Sequence, residues 1–307
     1  MKTKIVILGL GGVGGYFGGM LAKKYANNPE IEICFIARGE HLKKVQENGL
    51  TLITENGTFQ IFPALATDDV TKIGIADYII MSPKSYHLDS AVEQIKSMIG
   101  SNTVILPLLN GIDNSERIRK LLPETEVWDG CCYIVAKIKE SGVVENAGNI
   151  HRIVFGYLNQ NNERLLSFEK LLTDAGIEAR FYENILTEIW KKFFFISTSA
   201  SLTSYFNVSY GEILTHPERL QTLIDISTEL IKIANAEGIA IDNSQIEKLI
   251  HQFEKLPTGT TTSMHRDFQA GKNTEVDTLT GIVLKLGRKY GISTPTYEKV
   301  YEKLKGL

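Results

Sequence analysis

Lys192 lies within an apolar stripe: Ile185, Ile189, Lys192 and Ile196 recur at i, i+4, i+7 and i+11 on one helical face, and Lys191 turns away from it. An amine in that position is a candidate proton donor; the plainer reading is a stem that packs while its amine snorkels to water. Glu275, in Asn273-Thr274-Glu275-Val276-Asp277, falls in the first turn of a helix that Thr274 and Asp277 open in capping-box spacing. A carboxylate there serves a ligand or simply answers the helix dipole. Asn110-Gly111 and Lys84 each follow an apolar run, so both fall at the carboxyl edge of a sheet, where doubly wound folds bind ligands. A turn and a solvated lysine are the alternatives for these two.

The chain opens with a short apolar strand at residues 4–8 that runs straight into Gly9-Leu10-Gly11-Gly12-Val13-Gly14. In this G-x-G-x-x-G, Gly9 permits the tight turn, Gly11 lets backbone approach phosphate, and Gly14 lets helix and strand pack closely. Gly12 and Val13 begin the helix whose free N–H groups would receive a dinucleotide pyrophosphate. The second strand, Ile31–Ile36, ends in Ala37-Arg38 rather than in an acid. An acid would hold a ribose 2′-hydroxyl, whereas arginine answers a 2′-phosphate in bidentate fashion, so the expected cofactor is NADP(H). His41, Lys43 and Lys44 follow, as added positive potential or, the plainer reading, as a solvated helix face, and Glu40 lies beyond the strand end.

These residues need a frame to hold them. Apolar runs at 4–8, 31–36, 77–81 and 103–107 alternate with amphipathic stretches at 13–26, 40–48, 87–99 and 113–121, a βαβ rhythm that predicts a parallel sheet. Extended segments at 126–137, 143–145 and 151–156 are expected to continue that sheet, followed by a helix over 161–175 and a strand at 178–181. From about 184 the period becomes 3.6 residues. The expected fold is therefore α/β, with an N-terminal Rossmann-type doubly wound domain over 1–183 and an all-helical C-terminal domain over 184–307.

Composition narrows the class. A formal net charge of −3, with no polybasic block, gives no electrostatic case for nucleic acid. No uncharged apolar run approaches the roughly 18 to 20 residues that span a bilayer, so no membrane partner is expected. The first apolar strand is too short for a secretory signal and is broken by glycines. Cys34, Cys131 and Cys132 are few enough for a reducing compartment, and a cytoplasmic enzyme with buried, inert thiols is expected. No His/Cys/Asp cluster has metal-ligand spacing.

Taken in order, GLGGVGG, Arg38, Lys84 in Ser82-Pro83-Lys84, Leu109-Asn110-Gly111, Glu188-Ile189-Trp190-Lys191-Lys192, and Ser263-Met264 followed by Thr274-Glu275-Val276-Asp277 resemble the ketopantoate reductase (2-dehydropantoate 2-reductase) family along the whole chain. The resemblance implies NADPH-dependent reduction of 2-dehydropantoate to pantoate, in pantothenate and coenzyme A biosynthesis. It maps the family's catalytic lysine onto Lys192 and its glutamate onto Glu275, which would hold the substrate hydroxyl and also contact the cofactor. Ser263 would bind the substrate carboxylate, Asn110 would contact both cofactor and substrate, and Lys84 would lie beside the nicotinamide. The partners implied are a small 2-keto acid and, as an assembly, a homodimer through the helical domain.

One departure bears on the substrate. Typical members carry asparagines four and eight residues after the catalytic lysine, where this chain has Ile196 and Ala200. Ser197, Ser199 and Ser201 are the hydroxyls near enough in sequence to compensate. Another small 2-keto acid is therefore the alternative substrate. The rival classes are a 3-hydroxyacid or opine dehydrogenase, and a non-enzymatic NADPH sensor, against which the presence of both Lys192 and Glu275 weighs.

Overall fold

The computed structural model describes residues 2–157 and 162–306. They form two compact units, one running to Leu109 and resuming over Asp113–Ile185, the other comprising Asn110–Ile112 and the chain from Leu186 onward. In the first unit the elements run β1 (Thr3–Leu8), α1 (Gly12–Tyr25), β2 (Ile31–Ile36), α2 (Gly39–Asn48), β3 (Leu50–Thr54), β4 (Gly57–Ile61), β5 (Leu65–Thr67), β6 (Ala76–Met81), α3 (Leu88–Ile95), β7 (Ile99–Pro107), α4 (Asn114–Leu121) and β8 (Glu126–Val127). Then come β9 (Asp129–Glu140), β10 (Val143–Gly156), α5 (Asn162–Asp174) and β11 (Glu178–Phe181). Residue 161, where the sequence places the start of α5, lies outside the described residues.

The main sheet has the order β5-β2-β1-β6-β7-β8 and is parallel throughout. Its central strands read as unbroken apolar runs because both faces are covered. Ile5, Ile7, Ile33 and Phe35 enter one core with Phe17 and Leu21 of α1, while Val6, Leu8, Cys34 and Ile36 enter a second core with Leu88, Val92 and Ile95 of α3. Successive side chains point to opposite faces, so a single run feeds both cores.

Two expectations are corrected here. The segments at 126–137, 143–145 and 151–156 do not all extend this sheet: only β8 joins it, and the rest build a separate sheet of order β11-β10-β3-β4, with β9 paired antiparallel to β10. The two shorter segments are one strand, β10, whose register shifts between Asn146 and His151. The stretch between 48 and 77, to which the sequence assigned no element, holds the β3–β4 hairpin and β5.

The second unit is helical: α6 (Ile185–Phe206, entered from the first unit through Ile185), α7 (Tyr210–Leu214), α8 (Pro217–Ala236), α9 (Ser244–Lys255), α10 (Ser263–Gln269), a π-helical turn over Asp277–Gly281, α11 (Ile282–Tyr290) and α12 (Pro295–Lys305). α6 is buried on more than the one stripe expected, with Trp190, Phe193, Phe194 and Leu202 all in the unit's core. Buried Glu229 of α8 accepts from the N–H groups of Thr296 (2.7 Å) and Tyr297 (3.0 Å), so its charge meets the positive end of α12. Among the described residues no helix is long and apolar enough to cross a membrane, and no three His, Cys, Asp or Glu side chains are grouped to hold a metal.

Candidate active site

In the first unit the glycine turn sits where β1 meets α1. Gly9 has φ +92°, a backbone state that favours glycine, and Ser82 Oγ donates to its carbonyl at 2.8 Å. A Cβ on Gly14 would come within 2.0 Å of the Gly9 carbonyl, and one on Gly12 within 2.2 Å of the Ala136 carbonyl on β9. Gly11 differs: a Cβ there meets nothing within 4 Å, and Gly11 lines a cavity of about 260 Å³. No side chain caps α1 at Gly11, so the helix's first amides have no side-chain acceptor from that residue. Val13 is partly buried against the core. Arg38 and His41 line the same cavity, as does Pro83, which precedes the half-buried Lys84. The turn's open backbone, the helix N-terminus and a cationic wall are the features a dinucleotide phosphate requires, so these residues fit such a cofactor.

The three cysteines are buried thiols, and burial pushes that of Cys34 up to about 11. They are not reactive groups.

In the second unit Lys192 is half-buried and its Nζ donates to Asn110 Oδ1 at 3.2 Å. Neighbouring Lys191 is exposed and pairs with Glu188 at 2.7 Å, so adjacent lysines have different surroundings. A hydrogen bond thus joins two of the candidates, Lys192 and Asn110. Glu275 is 3% exposed, two residues before the π-helical turn, and Ser263 is the first residue of α10. The capping box expected around Glu275 does not describe this turn: Asp277 accepts from Tyr301 Oη at 2.6 Å and pairs with Lys305 at 3.2 Å.

What holds the Ser263 and Glu275 segments is a set of hydroxyls on α6 that the sequence reading treated differently. Ser197 Oγ donates to the Leu279 carbonyl at 2.6 Å, which leaves Tyr297 Oη as donor to Ser197 at 2.8 Å. Burial pushes the Tyr297 hydroxyl well above its ordinary range, so it stays a neutral donor. Ser201 bonds Thr280 at 2.8 Å, and Thr203 bonds Thr262, the cap of α10, at 2.9 Å. Ser197 thus ties α6 to a main-chain carbonyl of the π turn. Ser197 and Ser201 are thus committed within the core and do not replace the missing asparagines. Ser199 is also fully buried, beside the Ile196 carbonyl at 3.4 Å. The signal was present as Ser197-Thr198-Ser199-Ala200-Ser201, since hydroxyls in a helix interior call for partners. Ser197→Ala removes the hydroxyl that joins the Leu279 carbonyl to the Tyr297 hydroxyl. It should cost about 1–3 kcal/mol in urea unfolding, and a loss near zero would mean the turn holds itself.

The sequence matches the family described as ketopantoate reductase PanE/ApbA over residues 5–160, and that family's C-terminal domain over 184–307. The chain belongs to the ketopantoate reductase family. Among ketopantoate reductases, it is 30% identical to the 2-dehydropantoate 2-reductase of Pyrococcus horikoshii, across 95% of this chain and 93% of that protein. The crystal structure of 2-dehydropantoate 2-reductase from Porphyromonas gingivalis W83 is 34% identical, covers 99% of both chains and superposes with a TM-score of 0.86. A ternary structure of D-mandelate dehydrogenase with NADH and anilino(oxo)acetate is 26% identical over 99% of this chain and 97% of that one, with a TM-score of 0.89. The chain is thus an oxidoreductase of the ketopantoate reductase family, and a dehydrogenase of a different name shares its fold.

Proposed function

We propose that the protein is an NADPH-dependent reductase of 2-dehydropantoate, yielding pantoate. The observation that carries the reading is the Lys192–Asn110 hydrogen bond of 3.2 Å, in a ketopantoate reductase whose adjacent Lys191 is engaged elsewhere. Reduced nicotinamide supplies hydride to the keto carbon. Lys192 gives a proton to the oxygen as negative charge develops there, and Asn110 holds the amine in line. Glu275 accepts from the substrate hydroxyl and Ser263 binds the carboxylate. Gly9, Gly11, Gly12, Val13 and Gly14 would hold the pyrophosphate, Lys84 would serve the nicotinamide end, and Asn110 and Glu275 would also hold the cofactor. In this reading residues 1–183 are the cofactor domain and 184–307 the substrate and catalytic domain.

Arg38 supplies the preference for NADPH. Losing a charge-assisted phosphate contact costs about 1.5–3 kcal/mol, so Arg38→Ala should raise the NADPH Kd roughly ten- to hundredfold and leave that of NADH in place. Titration of both cofactors checks this, and equal wild-type affinities would overturn it.

A second reading, reduction of another small 2-keto acid, is favoured by Ile196 and Ala200. The first is half-buried and the second 1% exposed within the core, and Ser197 and Ser201 have their bonds elsewhere. A pocket without those amides has less with which to select a hydroxylated substrate. The D-mandelate dehydrogenase likeness points the same way for an aryl keto acid. Following NADPH oxidation against a panel that includes 2-dehydropantoate, branched aliphatic 2-keto acids and benzoylformate decides between them. The first reading requires 2-dehydropantoate to have the highest kcat/KM.

A further inference from the structure

One wall of the first unit's cavity is a single stripe along the start of α3: His87, Ser90, Ala91 and Gln94, at i, i+3, i+4 and i+7. The hydrogen bonds of its polar side chains sort them. Ser90 Oγ donates back to the His87 carbonyl at 2.9 Å, the His87 ring lies edge-on to Tyr86 at 4.6 Å, and on the facing wall His41 Nδ1 accepts from the Gly142 N–H at 3.0 Å. Gln94 alone in this group turns to the guanidinium: its Oε1 accepts from Arg38 Nη2 at 2.6 Å. The carboxylates nearest in sequence pair with lysines, Glu40 with Lys44 at 3.9 Å and Glu93 with Lys96 at 2.6 Å.

We infer that Gln94 is a specificity-determining residue for a phosphorylated ribose: it fixes the direction of the Arg38 fork with a neutral acceptor. The inference rests on the cofactor reading proposed above. A guanidinium has five N–H donors in a rigid plane, so one bond to Gln94 orients the fork and leaves donors for an anion. Because the acceptor is an amide, the positive charge of Arg38 is kept, and the Gln94 NH2 group adds further donors. Glutamate at this position would accept the same bond, cancel that charge and repel a phosphate dianion. An unphosphorylated ribose would register little of this difference.

The test is fluorescence titration of NADPH and of NADH on wild type, Gln94→Glu, Gln94→Leu and Arg38→Ala, with apo melting temperatures to confirm folding. Gln94→Glu should raise the NADPH Kd about tenfold or more, as expected for losing a charge-assisted contact, while the NADH Kd barely moves. Gln94→Leu should lie between wild type and Gln94→Glu. If Arg38→Ala collapses the NADPH-to-NADH ratio and Gln94→Glu leaves it at the wild-type value, the role of Gln94 is overturned and the cofactor reading stands. A wild-type ratio near one overturns the cofactor reading, and the role of Gln94 with it.

Discussion

Lys192→Ala is expected to lower kcat for the best 2-keto acid about a hundred- to ten-thousandfold, the usual share of general acid catalysis, while NADPH binding stays nearly intact. The amine is half-buried and held by Asn110, so its loss removes a proton donor from a fixed position. Lys191→Ala is the matched control. Its charge pairs with Glu188 at the surface, where such pairs contribute about 0–1 kcal/mol, and turnover should be preserved. Steady-state kinetics of the two variants side by side is the measurement. Comparable turnover in both would remove Lys192 from its role, and an absence of turnover in the wild type with every keto acid would turn attention to the NADPH-sensor reading.

The second large effect contrasts two glycines of one turn. A methyl on Gly14 would lie 2.0 Å from the Gly9 carbonyl and 2.3 Å from Ser82 Oγ, so α1 must move away from the strand end. Gly14→Ala should therefore cost at least about 1–3 kcal/mol in stability and take cofactor binding with it. Gly11 has φ −75° with an extended ψ, and open space where a Cβ would go. Gly11→Ala should keep the melting temperature near wild type and still weaken NADPH, because its methyl points into free space beside the cavity where backbone and phosphate would meet. Thermal melts paired with cofactor titration separate the two cases; similar melting losses in both would mean that the turn's geometry, not its open surface, decides binding.

How much of this was legible depended on whether the signal was local. β1, β2 and β6 announced themselves because burial on both faces demands unbroken apolar runs, and the glycine turn because its steric needs lie within a few residues. The β3–β4 hairpin was hidden: Thr58 and Gln60 face outward, and β4 is mostly exposed, so its apolar signal is weak. The strands β9 and β10 were visible as strands, but alternation reports which faces are buried and not which partner is paired, so their placement in a separate sheet was not. At the candidate site, the different surroundings of Lys192 and Lys191 followed from helical geometry alone. The π turn after Glu275 did not, because the hydroxyls it bonds, Ser197 and Ser201, are distant in sequence and look from their types like spare pocket hydroxyls.

The lysine and its hydrogen-bond partner lie 82 positions apart, and Asn110–Ile112 group with the helical unit although the chain on either side of them does not. That interleaving limits modular exchange. A chimera joined at residue 184 takes its amine from one parent and its amide from the other, and a separately expressed C-terminal half carries Lys192 with no Asn110 at all. Recombination between ketopantoate reductases should therefore yield working hybrids more often when the 110–112 loop travels with the C-terminal parent.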